Sequence, residues 1–412
     1  MTARCFLFVD HRPSILWQFV YPLACACLLL VYCASIEAAE QQATREFEFS
    51  DAGVRIDSDF DGGRLSNCRQ LDDNRFEITI EPENFPINDS AWYAFRITAK
   101  EAKEIALKFV YLEGSHRYHP WLSSDRKRWK TVNERAYIVE PHSARATLNV
   151  SVGPDPLWIA AQPLMTEKDI AKWTERLAKH EFVKRGVIGR SVRGNEIESF
   201  EISGRGSKNY VYVISRQHPP EVTGHQGMMD LIDVVCGDSP LARRFRDHFT
   251  TICVPTVNPD GVADGNWRHN ARGIDLNRDW GLFRQPETQA MRDMMLATLE
   301  RDGARPFLFL DYHSTYNDMY YTQSDEEQTF PPQFTHDWLT AIQRRMPNEK
   351  VIRDSKPGGS PYTSRKWVYR TFGIPSITVE FGDNASTDHI RRVSRIAAEE
   401  MMIRLLDEVD PR

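Results

Sequence analysis

Disulfide scaffolding, a basic nucleic-acid face and repeat architecture are all missing from this sequence. Of its seven cysteines, Cys5, Cys25, Cys27 and Cys33 fall within the first 40 residues. That leaves Cys68, Cys236 and Cys253, an odd set without metal-type spacing. No disulfide framework can be read from it, and small buried residues are the plain reading, with Cys236–Cys253 the one pairing to check. Basic residues do not cluster: the net charge is −6, and runs such as Arg126-Lys127-Arg128 are short. Nucleic-acid binders carry a basic stripe, so no such partner is expected and this run reads as a solvated loop. No internal repeat or low-complexity stretch is present, which argues against solenoids and disordered tails. What is there is ordinary for a globular protein: 41% hydrophobic and 27% charged residues over a 412-residue chain, enough for two domains.

The first 40 residues differ from the rest. Arg4, His11 and Arg12 precede an apolar run from Ile15 to Ile36, and Ala38-Ala39 lead into Glu40-Gln41-Gln42. Basic start, apolar centre and small-residue exit describe an export signal over residues 1–39. The run is long for a signal, so an uncleaved membrane anchor fits the same residues. Tyr32 is too bulky to precede a lipid-bearing Cys33. Either way the remainder is expected to be exported, periplasmic or secreted, touching a membrane only through that segment. The oligomeric state is not legible.

Residues 45–155 read as β-rich. Arg75 to Ile80, Trp92 to Ile97 and Ile105 to Tyr111 alternate with period two, and turn material such as Asp61-Gly62-Gly63 separates them. Short alternating strands predict a small N-terminal β-sandwich, with Gly153-Pro154-Asp155-Pro156 as its exit. From 165 to 408 the pattern becomes α/β. Strands are expected at 210–214, 251–254, 307–310 and 376–381. Helices are expected at 166–179, 224–235, 287–299, 334–345 and 388–406. Such alternation implies a largely parallel or mixed sheet, whose ligands bind beyond the strand ends.

Four segments at those ends carry chemistry. His218-Pro219-Pro220-Glu221 sets a histidine and a glutamate three apart, both good zinc ligands on a loop stiffened by proline. With 12 histidines about one such pair arises by chance, so alone it signifies little. His313, after the apolar strand ending at Leu310, would complete two nitrogens and one carboxylate. That set leaves a fourth position for water, as catalytic zinc requires. Asp311, two residues earlier, suits a partner for a ligand histidine. Glu380 ends the β-branched run Ser376-Ile377-Thr378-Val379, where a charge is costly unless paired or used. A structural ion pair is the plain alternative; beside zinc, the carboxylate suits a proton carrier. Finally, Asn258-Pro259-Asp260-Gly261, Trp267-Arg268 and Asp275-Leu276-Asn277-Arg278 crowd two arginines and an asparagine together. A free carboxylate and a developing oxyanion need such groups.

Together these segments, in this order, resemble the zinc metallocarboxypeptidases over about residues 165–405, most closely the cytosolic carboxypeptidase branch and its bacterial relatives. The resemblance implies a mixed eight-stranded sheet between helices, preceded by the β-sandwich. It implies one zinc per chain held by His218, Glu221 and His313, with Glu380 as general base. Arg268 would stabilise the oxyanion, and Asn277 with Arg278 would grip the carboxylate of a peptide or protein C-terminus. A mobile tyrosine belongs to the family; Tyr362 is the candidate. Arg365 aligns with an arginine that reads acidic side chains, and equally fits a solvated residue beside Lys366. Trimming of peptidoglycan peptides, deacylation of N-acyl amino acids and a non-catalytic binding module remain alternatives to the carboxypeptidase reading.

Overall fold

Two antiparallel-rich sheets open the described chain. The computed structural model describes residues 45–84, 86–141, 144–356 and 358–410; the expected export segment lies outside them. One sheet has six strands in the order Glu46–Phe49, Val54–Asp57, Ala94–Ala99, Leu157–Ala160, Trp121–Ser123 and Lys130–Thr131. The other has five: Asn67–Asp72, Arg75–Ile80, Lys103–Tyr111, Arg145–Val152 and Tyr137–Val139. Period-two patterning produces them. Along Lys103–Tyr111 every second side chain is buried, and the inward set meets the inward set of the other sheet. Phe76, Ile78, Leu107 and Phe109 thus share one core with Ile56, Phe95 and Ile97, each burial contributing roughly 1.5–3 kcal/mol. A strand follows Gly153–Pro156: Leu157–Ala160 returns antiparallel to Ala94–Ala99.

The second architecture is an eight-stranded mixed sheet. Its order is Val183–Arg190, Glu196–Ile202, Thr250–Val254, Asn209–Ser215, Arg305–Thr315, Ser376–Gly382, Met319–Tyr321 and Arg353–Asp354. The four strands from Thr250–Val254 to Ser376–Gly382 run parallel. They are apolar almost throughout because helices cover both faces. Helices Val222–Val235 and Thr387–Val409 pack on one face, and Pro286–Leu299 with Ser364–Phe372 on the other. The hairpin Val183–Ile202 and the helices Pro240–His248 and Ser364–Phe372 are elements that periodicity did not reveal. Asn258-Pro259-Asp260-Gly261 opens a short helix, Pro259–Asp264, with Asn258 as N-cap. Cys68, Cys236 and Cys253 are free and buried. Among the described residues, no helix is long and apolar enough to cross a membrane.

Candidate metal centre and catalytic cleft

The parallel strands end on one side, and the chemically competent residues collect there. The strand Arg305–Thr315 runs past Leu310 and carries His313 within it rather than after it. Its neighbour Ser376–Gly382 places Glu380 directly opposite His313 in register. The loop after Asn209–Ser215 brings His218, and Glu221 is the N-cap of the helix Val222–Val235. That helix lies hard against the strand. A Cβ on Gly224 would meet the His313 carbonyl at 2.1 Å, so only glycine permits this approach of Glu221 to His313. The Gly224 N–H donates to Ser314 Oγ at 2.9 Å and fixes the same contact.

His218, Glu221 and His313 converge, with potential ligand atoms within 4.8 Å of one another. Glu221 lies between the histidines: Oε1 is 2.8 Å from His218 Nδ1 and Oε2 is 2.7 Å from His313 Nδ1. The outer nitrogens face carboxylates. His218 Nε2 lies 3.0 Å from Asp275, and His313 Nε2 lies 3.0 Å from Asp311. This is how a protein fixes the tautomer of a ligating histidine: the outer N–H goes to a carboxylate, leaving Nδ1 for a metal. Burial opposes ionisation of Glu221, but the two histidines outweigh it and hold the carboxyl well below its usual range. An anionic carboxylate, two imidazoles with their tautomers set and, among the described residues, no fourth donor in the group fit a catalytic zinc ion.

Glu380 is in the opposite condition. Burial, aided by repulsion from Glu221 and Asp311, outweighs the attraction of His313 and His218 and pushes its carboxyl up to about 7. Its Oε2 is shielded from solvent and has no hydrogen-bond partner among the described residues. A carboxyl that can exchange a proton near neutrality, aimed at the metal-ligand set, suits acid–base work.

These groups line a cleft of about 450 Å³ together with Arg268, Asn277, Arg278, Arg365, Tyr321, Lys356, Lys366 and Arg117. Asp275 organises one wall. Its carboxylate accepts from Arg268 Nε at 2.7 Å and from the Asn277 backbone N–H at 2.8 Å while facing His218. Asn277 Oδ1 accepts the Ser364 N–H at 2.9 Å, which turns its Nδ2 toward His313. Arg278 is exposed and donates to the Asn277 carbonyl. Arg365, on the first turn of Ser364–Phe372, donates to the Thr322 carbonyl at 2.7 Å, beside Tyr321 and Asp354. The cleft holds the predicted site residues with one exception. Tyr362 is 42% exposed and lies outside the lining, where Tyr321 is the tyrosine present.

Periodicity and motif reading gave no role to Asp275, Glu83 or Arg117. Glu83 comes from the β-sandwich region and its carboxylate is shielded from solvent; it accepts the backbone N–H groups of Arg268 and His269 at 2.9 and 3.0 Å. Trp267 packs into the sandwich core and donates to the Tyr118 hydroxyl. The loop bearing Arg268 is therefore held by the N-terminal sheets. Asp275 carried a local signal, since its side chain caps the turn Leu276–Arg278. Glu83 carried none.

Comparison with known proteins finds relatives for both architectures. The family described as zinc carboxypeptidase matches residues 170–401, and the cytosolic carboxypeptidase N-terminal domain matches residues 56–154. Mouse cytosolic carboxypeptidase 3 is 23% identical over 297 residues. That match covers 64% of this chain but only 29% of the mouse protein, so the chain spans under a third of that relative. A metallocarboxypeptidase structure from Burkholderia cenocepacia superposes with a TM-score of 0.72 at 20% identity, covering 85% of this chain and 98% of that one. A Pseudomonas aeruginosa metallocarboxypeptidase, solved with (2-guanidinoethylmercapto)succinic acid, gives 0.70 at 22% identity, covering 86% and 99%.

Proposed function

Because the chain belongs to the zinc carboxypeptidase family, we propose that it hydrolyses the last peptide bond of peptide or protein C-termini, with Glu380 moving the proton. The observation that carries this reading is the placement of Glu380 opposite His313, beside a three-donor set that has no fourth ligand among the described residues. Zinc bound there would supply a Lewis acid and lower the pKa of a water molecule. Glu380 would take the proton from that water and deliver it to the departing amine nitrogen. Arg268 is held through Nε by Asp275, so its terminal nitrogens remain available for the oxyanion. Arg278 and Asn277 would receive the terminal carboxylate, a group that internal peptide bonds lack.

The side-chain preference proposed here is acidic. Arg117, Arg268, Arg278, Lys356, Arg365 and Lys366 line the cleft against Glu221, Asp354 and Glu380, so cations outnumber acids six to three. Arg365 lines the same cleft as Thr378 and Tyr321, where a terminal side chain would enter. Export is proposed on the first 40 residues alone; N-terminal sequencing of the protein recovered from its cellular fraction tests it.

The decisive experiment is a panel of peptides that differ only in the last residue: acidic, basic, apolar, D-configured and amidated. Amino-acid release is measured with and without a chelator. The reading requires chelator-sensitive release from free but not amidated ends, fastest for glutamate or aspartate. Release from amidated ends at the same rate would overturn the carboxypeptidase assignment. Equal rates for all free ends would remove the acidic preference alone.

A further inference from the structure

Arg117 belongs by sequence to the β-sandwich, on the loop between Lys103–Tyr111 and Trp121–Ser123, yet it lines the catalytic cleft. Its Nε and Nη2 donate to the Asp383 carboxylate at 2.8 and 3.2 Å, and Nη2 also reaches the Ser314 carbonyl at 3.3 Å. Asp383 follows the strand that carries Glu380, and Ser314 follows His313. One sandwich residue therefore grips the ends of both catalytic strands. Its Nη1 makes no hydrogen bond among the described residues. The Tyr316 ring, 68% exposed, lies 4.9 Å from its guanidinium carbon.

The strand Ser376–Gly382 gives the direction. Thr378 pairs with Tyr321 on the Arg365 side, and Glu380 pairs with His313 at the metal set. Asp383, with Arg117, lies three residues beyond. Along the chain, the Tyr321–Thr378 pair, next to the Arg365 contact with the Thr322 carbonyl, and the Arg117 contact with Asp383 therefore fall on opposite sides of Glu380. A peptide whose last residue occupies the Arg365 side must carry its preceding residue toward Arg117.

We propose that Arg117 and Tyr316 form the subsite for the residue upstream of the scissile bond, with Arg117 Nη1 pairing to a carboxylate there. This rests on the carboxypeptidase reading, and it gives the β-sandwich a share in substrate choice. A planar guanidinium pinned on one edge by Asp383 is already oriented, so a substrate carboxylate would meet it with little loss of side-chain freedom.

The test uses the zinc-loaded full chain and two peptides with the same last residue, one with glutamate and one with glutamine before it. Arg117→Gln should lower kcat/KM for the glutamate peptide about tenfold more than for its isostere, the size expected of one charge-assisted contact. Arg117→Lys keeps the charge but not the planar fork that Asp383 pins, so it should retain only a small part of the discrimination. Tyr316→Ala changes an exposed ring and leaves Asp383 untouched; it should raise KM more than it lowers kcat. Equal losses on both peptides would mean that Arg117 only ties the sandwich to the catalytic strands, and the proposal would fall. A wild-type protein that shows no discrimination would also overturn it. If wild type releases no amino acid from any peptide, the underlying carboxypeptidase reading fails instead. Calorimetric binding of the same two peptides then still decides the subsite, since equal affinities for wild type and Arg117→Gln would refute it.

Discussion

Replacing Glu380 by glutamine should inactivate the protein and stabilise its metal-free form. The carboxyl is raised from its usual 4.5 to about 7 by burial, and its Oε2 has no hydrogen-bond partner among the described residues. That gap corresponds to about 3 kcal/mol against the ionised form. The sign follows from which state keeps the proton. Between pH 4.5 and 7 the native state holds a proton that the unfolded chain has released, so wild-type stability declines across that window. Glutamine carries no charge at any pH and escapes the decline. The stability difference should thus be near zero at pH 4.5, grow toward about 3 kcal/mol by pH 7.5, and stay flat above. The amide brings an N–H2 group into the same shielded position, so this is an upper bound. Urea unfolding of chelator-treated wild type and Glu380→Gln at pH 5 and 8 measures it. Turnover of the zinc-loaded variant should fall by roughly 10²–10⁴, the ordinary worth of a positioned base. A pH-independent stability difference would refute the desolvated acid. A loss of turnover below tenfold would refute its role as base.

Three further outcomes follow from other contacts. Asp275→Asn removes the negative charge between His218 Nε2 and Arg268 and leaves one acceptor oxygen where there were two; zinc affinity should drop about 10–100-fold in a chelator competition, since partners of ligating histidines carry that weight. Gly224→Ala drives a Cβ into the His313 backbone; the overpacking should cost about 1–3 kcal/mol, and thermal unfolding together with zinc content by atomic absorption should both register the displacement of Glu221. His116, in the sandwich, is pushed down to about 4 by burial with His119 nearby, and it meets the Tyr111 hydroxyl at 2.7 Å. The unfolded chain gains its proton near 6.5 while the native state refuses it until about 4. Stability should therefore fall by up to about 3 kcal/mol as pH drops through that window. His116→Gln should flatten that dependence in urea titrations at pH 4.5 and 7.

The sequence showed the elements whose periodicity is strong and the site residues that stand next to one another. Arg75–Ile80 and Phe334–Arg345 fall at the residues that alternation and helical spacing indicate. His218 and Glu221 were legible because a zinc pair needs that spacing, and Glu380 because an acid after β-branched residues demands a reason. Val183–Arg190 was not legible: it is an edge strand with two glycines and no clean alternation, held by pairing with Glu196–Ile202 rather than by its own preference. The register of His313 with Glu380 was not legible either. It arises from two parallel strands 67 residues apart, and no local pattern records which residues will face each other.

The same limit explains why the β-sandwich looked like a separate module. Its contacts with the chemistry join residues far apart in sequence: Glu83 to the N–H groups of Arg268 and His269, Tyr118 to Trp267, Gln162 to the Asp383 carbonyl, and Arg117 to Asp383. Each side of such a pair reads alone as an ordinary surface or loop residue. Together they hold both the arginine assigned to the oxyanion and the end of the strand bearing Glu380. A buried carboxylate such as Glu83 is costly without its donors. Removing the sandwich would leave the loop N–H groups of Arg268 and His269 without their acceptor and Asp383 without its cation. The candidate zinc ligands, His218, Glu221 and His313, all come from the eight-stranded domain and keep their carboxylate partners Asp275 and Asp311 there. The sandwich is thus a wall of the cleft and a brace for the groups proposed to act on substrate, while the candidate metal-ligand set is built without it.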